Sequence, residues 1–115
     1  MAAEGIKRGG IYLVDLGPDS NGQPRKRPVL VVQNDQGNQA GATTVVVSLS
    51  SLVPSQLYPF QVSLPAGVLG KPGVIHCEQI KTVSTDRVEA YAVGDCPAEV
   101  MRQVDDALRM SLGLV

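Results

Sequence analysis

Apolar residues recur at every second position in short runs, and glycine, proline and asparagine cut those runs apart. This is the pattern of half-buried strands joined by turns. The first run, centred on Tyr12-Leu13-Val14, predicts a strand over Ile11 to Leu16, which Gly17-Pro18-Asp19-Ser20-Asn21-Gly22 ends. A second strand is expected over Pro28 to Gln33, closed by the turn chemistry of Gln33-Asn34-Asp35, whose short polar side chains favour Asx-type bonds. Together the two predict a hairpin with a long, mobile tip. Thr43 to Ser50 reads as a third strand, with Val45, Val47 and Leu49 on one face and Thr44, Val46, Ser48 and Ser50 on the other. Phe60 to Leu64 alternates cleanly as a fourth. After a turn at Lys71-Pro72-Gly73, Val74 to Ile80 is the fifth and Val88 to Val93 the sixth.

From Pro97 the period changes. Val100, Met101, Val104, Leu108 and Leu112 fall at helical spacing, with Glu99 in the first turn and Gly113 as a stop. This predicts one amphipathic helix of roughly four turns. Many short strands and one terminal helix make the expected fold mainly β, a small, partly open antiparallel barrel carrying a C-terminal α-helix. No repeat, linker or low-complexity segment divides the chain, so residues 1–115 are expected to form one domain.

Composition narrows the chemistry. The formal charge is −1 and the pI about 5.7, so overall charge does not mark a nucleic-acid binder. The distribution is uneven, however. Lys7, Arg8, Arg25, Lys26 and Arg27 are half of the ten basic residues, whereas Asp86, Glu89, Asp95, Glu99, Asp105 and Asp106 gather six of the eleven acids near the end. One basic side on a neutral protein is compatible with this, as is an ordinary solvated hairpin. Cys77 and Cys96 lie far apart, and His76 is the only histidine, which argues against a zinc site. A disulfide between the cysteines is open, but a reduced cytoplasmic protein is the simpler reading. The opening residues hold no apolar leader, and no run approaches the ~18 apolar residues of a membrane span.

There is no second histidine for a two-histidine nuclease, no glycine-rich phosphate loop and no carboxylate cluster with metal-ligand spacing. With only Tyr12, Tyr58, Phe60 and Tyr91 as aromatics, a broad stacking platform for bases is hard to build. The remaining candidates are arginine, hydroxyl and carboxylate groups.

Four ordered segments carry a resemblance: RGGIYLVDLGP (Arg8 to Pro18), RPVLVVQNDQGN (Arg27 to Asn38), EQIKTV (Glu78 to Val83) and VDDALRMSLGL (Val104 to Leu114). Together they resemble the MazF/PemK family of toxin endoribonucleases, essentially from Arg8 to Leu114. The resemblance implies an SH3-like barrel of the CcdB/Kid/MazF type, assembled as a homodimer. It implies cleavage of single-stranded RNA without a metal or other cofactor, by attack of the RNA's own 2′-OH to leave a 2′,3′-cyclic phosphate and a 5′-OH. A cognate MazE-like antitoxin is the implied partner, inhibiting through an acidic segment laid into the RNA groove.

The family's catalytic arginine corresponds to Arg27, whose planar, permanently charged fork suits a phosphoryl transition state. The family's catalytic threonine corresponds to Ser50, which keeps the hydroxyl and loses the methyl that stiffens χ1; Ser48, on the same strand face, and the adjacent Ser51 are the alternatives for that position. In the first hairpin loop Gln23 matches the family, but Gly22 stands where relatives carry a glutamate. Arg25, Lys26 and Gln23 are then expected to meet substrate, with Gln79 and Lys81 from EQIKTV reading base edges and phosphate. Lys81 replaces an arginine common there. Specificity is expected to depend on the loops around residues 18–26 and 51–59. Glu78 reads as structural, and His76 as a packed strand residue rather than a reacting group.

Two other classes remain in view. A same-fold gyrase poison of the CcdB type would need a tryptophan-bearing tail, and this chain has no tryptophan. A degenerate toxin kept as an RNA- or antitoxin-binding module finds support only in Ser50 and Gly22.

Overall fold

The structure, a computed structural model, describes residues 5–114; the outermost residues of the expected 1–115 domain lie outside that range. Its strands are β1 (Gly10–Pro18), β2 (Pro24–Val31), β3 (Thr43–Ser50), β4 (Gln61–Leu64), β5 (Gly73–Ser84) and β6 (Gly94–Asp95). The helices are α1 (Asp35–Ala40), α2 (Ala66–Leu69) and α3 (Ala98–Ser111). All six strands form one antiparallel sheet in the order β4-β5-β3-β2-β1-β6.

The sheet curls because β5 carries extra residues. Val47 pairs with Ile80, but the next β3 residue, Ser48, pairs with His76, leaving Cys77, Glu78 and Gln79 as a bulge. A bulge bends its strand and increases local twist. The curl brings the two edges together: α2, directly after edge strand β4, packs on β6, where a Cβ on Gly94 would lie 3.0 Å from the Val68 carbonyl oxygen. The result is the expected open barrel.

Alternation then fills both faces. Ile11, Leu30, Val47, Val62, Leu64, Ile75 and Cys77 form the larger core, which α3 closes with Val100, Val104 and Ala107. On the opposite face Tyr12, Val14, Val29, Val31, Val46 and Val88 form a smaller one. The helix ends as its spacing predicted. Gly113 takes φ +70°, and the Leu114 N–H donates to the Arg109 carbonyl at 2.8 Å.

Three expectations need correction. The sixth strand does not run from Val88 to Val93. A 3-10 turn, Thr85–Arg87, leads to a single bridge at Val88, and pairing resumes only at Gly94–Asp95. Glu89 and Val93 still donate to β1 carbonyls at 2.9 and 2.7 Å, but Tyr91 between them is 85% exposed, with no apolar surface to cover it. The polar run after β2 is a helix rather than a turn alone. Asn34 Oδ1 accepts from Gly37 N at 2.7 Å, and buried Asn38 is satisfied by Gln33, Asp35 and Thr44. These side-chain bonds outweigh the poor helix propensity of Gly37.

Finally, the first hairpin is longer than expected and its tip short. Pairing continues to Pro18–Pro24, and Asp19 closes the tip by accepting from Asn21 N and Gln23 N at 2.8 and 2.9 Å. Those two bonds hold the Asp19 carboxyl below its ordinary range, with Arg25 adding a smaller pull.

Candidate active site

β2 leaves the smaller core and delivers its next outward side chain, Arg27, to the sheet face it shares with Val29, Val46 and Ser48. Val29 pairs with Ser48, and β3 then carries Ser50 one step further along the same face. Arg27 and Ser50 line one cavity of about 470 Å3 together with Pro28, Leu49, Ser51, Lys71 and Pro72. Arg27 also lines a neighbouring cavity of about 200 Å3 with Ser48 and Lys81. Lys81 reaches it because it sits opposite Val46 across β3–β5. The close approach of β5 to Ser50 needs a glycine: a Cβ on Gly73 would lie 2.8 Å from the Ser50 carbonyl oxygen.

The electrostatics separate the basic residues. Arg27 is exposed, and among the described residues the one hydrogen bond its side chain makes is a 3.3 Å contact with the carbonyl of its neighbour Lys26. Among the described residues no carboxylate pairs with it. Its guanidinium therefore keeps its donors for an anion. The other two cations of the basic run are committed to the fold. Lys26 pairs with Glu89, which raises its pKa, first through that hydrogen bond and then through the opposite charge. Arg25 donates to the Gly17 and Leu16 carbonyls at 3.2 and 3.1 Å, bracing the hairpin.

Ser50 Oγ accepts the Leu52 N–H at 3.0 Å. A hydroxyl that accepts one bond still has its own proton to donate, so Ser50 keeps a donor at the cavity it lines. Ser48 lines the adjoining one.

The structure thus brings Arg27, Ser50 and Lys81 together. Gln23, Arg25, Lys26 and Gln79 are exposed but line neither cavity. Gln79 lies on the β5 bulge, and Gln23 in the tip that Asp19 closes. Lys71 is a cavity residue that the strand pattern did not single out. Its position before β5 marked it only as part of a turn.

A second cluster lies beyond Ser48. His76 Nδ1 is 3.4 Å from Glu78 Oε2, and Gln61 Nε2 donates to the same oxygen at 3.2 Å. Glu78 therefore has the structural role expected, and His76 is a half-buried strand residue. Two of the four aromatics stack on each other, short of a broad platform. Tyr58 and Phe60 lie with ring centroids 5.2 Å apart and planes 4° from parallel. Sequence alternation missed this pair because Pro59 folds the segment into a turn, closed by Gln61 N donating to Tyr58 O at 2.9 Å. Among the described residues no group of three His, Cys, Asp or Glu side chains is placed to hold a metal ion. No helix there is long and apolar enough to cross a membrane.

Comparison with known proteins gives this geometry a family. Residues 7–112 match the model described as the PemK-like, MazF-like toxin of type II toxin-antitoxin systems. Endoribonuclease EndoA of Bacillus subtilis (strain 168) is 35% identical over 113 residues, covering 96% of this chain and 97% of that protein. Among solved structures, an endoribonuclease bound to its cognate antitoxin from a mycobacterial species superposes with a TM-score of 0.78 at 25% identity, covering 96% of this chain and 97% of that one. A MazE-MazF complex from Deinococcus radiodurans gives 0.78 at 26% identity, with the same coverage of each chain. The chain therefore belongs to the PemK-like, MazF-like family of type II toxins.

Proposed function

We propose that this chain, acting as one domain, is a metal-independent endoribonuclease that cuts single-stranded RNA and serves as the toxin of a toxin-antitoxin pair. The observation that carries the reading is Arg27, a cation with no carboxylate partner among the described residues, which lines both cavities beside Ser50, Ser48 and Lys81. Its fork binds the non-bridging oxygens of the scissile phosphate and stabilises the charge that builds there. Ser50 Oγ–H donates to the same phosphate, and Lys81 holds a neighbouring one.

The RNA supplies the nucleophile. The 2′-OH attacks the adjacent phosphorus in line, the P–O5′ bond breaks, and the products are a 2′,3′-cyclic phosphate and a 5′-OH. The 2′-OH proton passes to solvent, because the hairpin tip has Gly22 where the family resemblance would place a glutamate, and the Asp19 carboxylate there already accepts two backbone N–H groups. Arg27 or solvent returns a proton to O5′.

The relatives support the partner. The structural neighbours in complex with an antitoxin support a cognate antitoxin for this chain, with an acidic segment competing for Arg27 and Lys81. A homodimer in the cytoplasm completes the proposal.

The test is cleavage of a long unstructured RNA in EDTA, with the new 5′ ends mapped beside an Arg27→Ala control. Cuts at a short motif that resist EDTA and vanish in the control are expected. Equal cutting by Arg27→Ala, or cutting that EDTA abolishes, overturns the mechanism.

A further inference from the structure

Ser50 is the last residue of β3, and its backbone is held from one side. Pairing between β2 and β3 ends at Val29–Ser48, whereas pairing between β3 and β5 runs on to Ser50–Val74. Beyond Ser50 the chain leaves the sheet until β4 begins at Gln61. Where Ser50 Oγ sits in its cavity therefore depends on how closely β5 approaches the end of β3.

That approach is set at the head of β5. Gly73 is buried, pairs with Leu64 of β4, and lines neither cavity. A Cβ there would lie 2.8 Å from the Ser50 carbonyl oxygen but 3.7 and 3.8 Å from Leu64 side-chain carbons, an ordinary contact. The conflict is thus with the β3 backbone, and no side chain can swing aside to relieve it. Nor do dihedral angles require glycine at this position. Gly70, at the end of α2, takes φ +86°, but Gly73 is not among the positive-φ glycines. A strand glycine with an ordinary φ marks the close approach of another backbone.

An alanine would have to open the contact from 2.8 Å to the 3.4 Å where ordinary packing begins, a shift of 0.6 Å. Catalytic groups must stay within about 0.5 Å of their productive position. Arg27 is insulated from that movement, because β2 holds it opposite Val14 of β1. The displacement falls on Ser50.

We propose that Gly73 is a positioning residue for the cleavage step. Having no side chain, it lets β5 close on the Ser50 carbonyl and so seats Ser50 Oγ in the cavity it shares with Arg27, where both meet one phosphate. The role rests on the RNA-cleaving function proposed above, and Gly73 itself touches no substrate.

The experiment is a double-mutant cycle in the full chain, with Gly73→Ala, Ser50→Ala and the two combined, read by cleavage of a mapped RNA in EDTA. Gly73→Ala should lower kcat at least about tenfold and leave KM within about threefold, given that a misplacement of about 1 Å can cost a hundredfold. Added to Ser50→Ala, the same substitution should change kcat less than about twofold, because the group it displaces is already gone. Val104→Ala is the comparator for lost stability: it should melt below wild type yet cut at the wild-type rate while folded. If Gly73→Ala does not fold, Pro72→Gly replaces it. That change loosens the entry to β5 at an exposed position, and the same dependence on Ser50 is expected.

An unchanged kcat, or the same fold-loss with and without Ser50→Ala, overturns the positioning role and leaves the nuclease reading standing. A matching loss in Val104→Ala assigns the effect to stability and overturns the role as well. A wild-type protein that cuts no RNA overturns the nuclease reading and this role together.

Discussion

At the scale of single residues, the site depends on which polar atoms are already engaged. Arg27 and Arg25 are two positions apart on one strand, yet among the described residues Arg27 meets no more than its neighbour's carbonyl, whereas Arg25 donates to two carbonyls of β1. Ser50 is oriented by the Leu52 N–H, so its hydroxyl matters more than the methyl a threonine would add. Ser50→Ala should lower kcat roughly a hundredfold, the usual cost of losing one donor to transition-state charge. Ser50→Thr should stay within a few-fold; single-turnover cleavage of a mapped RNA checks both.

The cysteines give a different residue-level prediction. Burial pushes Cys77 up to about 12 and Cys96 to about 11, so both are protonated and inert in the native chain. Iodoacetamide at pH 8 should label neither until urea is added. The sign of the pH effect follows. Above the ordinary thiol value near 9 the unfolded chain loses protons that the folded chain keeps, so stability falls as pH rises from there toward 12. The urea midpoint at pH 10 should lie below that at pH 8.

At the scale of elements, Arg8 joins three of them. Its guanidinium reaches Asp105 on α3 and the Val32 carbonyl at the end of β2, while its backbone N–H donates to Asp35 at the start of α1. The Arg8 N–H is the largest cause holding the Asp35 carboxyl below its ordinary value of 3.8, followed among the lowering effects by the Asn38 amide. That contribution is present at neutral pH and is lost as the pH falls through the lowered value; Asp35→Asn should flatten the acid limb of a stability–pH curve. The Arg8 and Asp105 side chains are about one-third exposed, so Arg8→Ala should cost only about 1 kcal/mol. Val104→Ala, in the sealed core under α3, should cost about 2 kcal/mol. Urea denaturation ranks the two.

At the scale of the whole molecule, the net charge of −1 hides a local positive site made by Arg27, Lys71 and Lys81. RNA affinity should therefore fall steeply with salt, and Arg27→Ala should reduce the log–log slope by about 0.7, the value for one phosphate contact on a single strand. A slope unchanged by the substitution would remove Arg27 from phosphate binding. Leu52, Tyr91, Met110, Leu112 and Leu114 are all more than half exposed. Large apolar side chains left uncovered are what a self-associating protein buries. Sedimentation should find the proposed dimer at micromolar concentration, and a stable monomer there would refute it.

Much of this was written locally in the chain. Strict alternation from Thr43 to Ser50 set β3 to the residue, because a period of two cannot be met by any other element. The change of period after Pro97, with Gly113 as its stop, set α3 in the same way. Arg27 was legible as a cation opening a strand. Four things were not local. The failed strand at Val88–Val93 lacked a partner surface, and the helix at Asp35–Ala40 depends on Thr44 and Gln33, which reach its Asn38 from outside it. Tertiary pairing decides that Arg25 and Lys26 are committed to the fold while Arg27 meets no carboxylate among the described residues, since their partners lie on β1 and beyond it at Glu89. Likewise, only the β5 bulge could set His76 and Glu78 beside Gln61 and the Tyr58–Phe60 stack. Periodicity specifies which way a side chain faces; long-range pairing decides what it meets there.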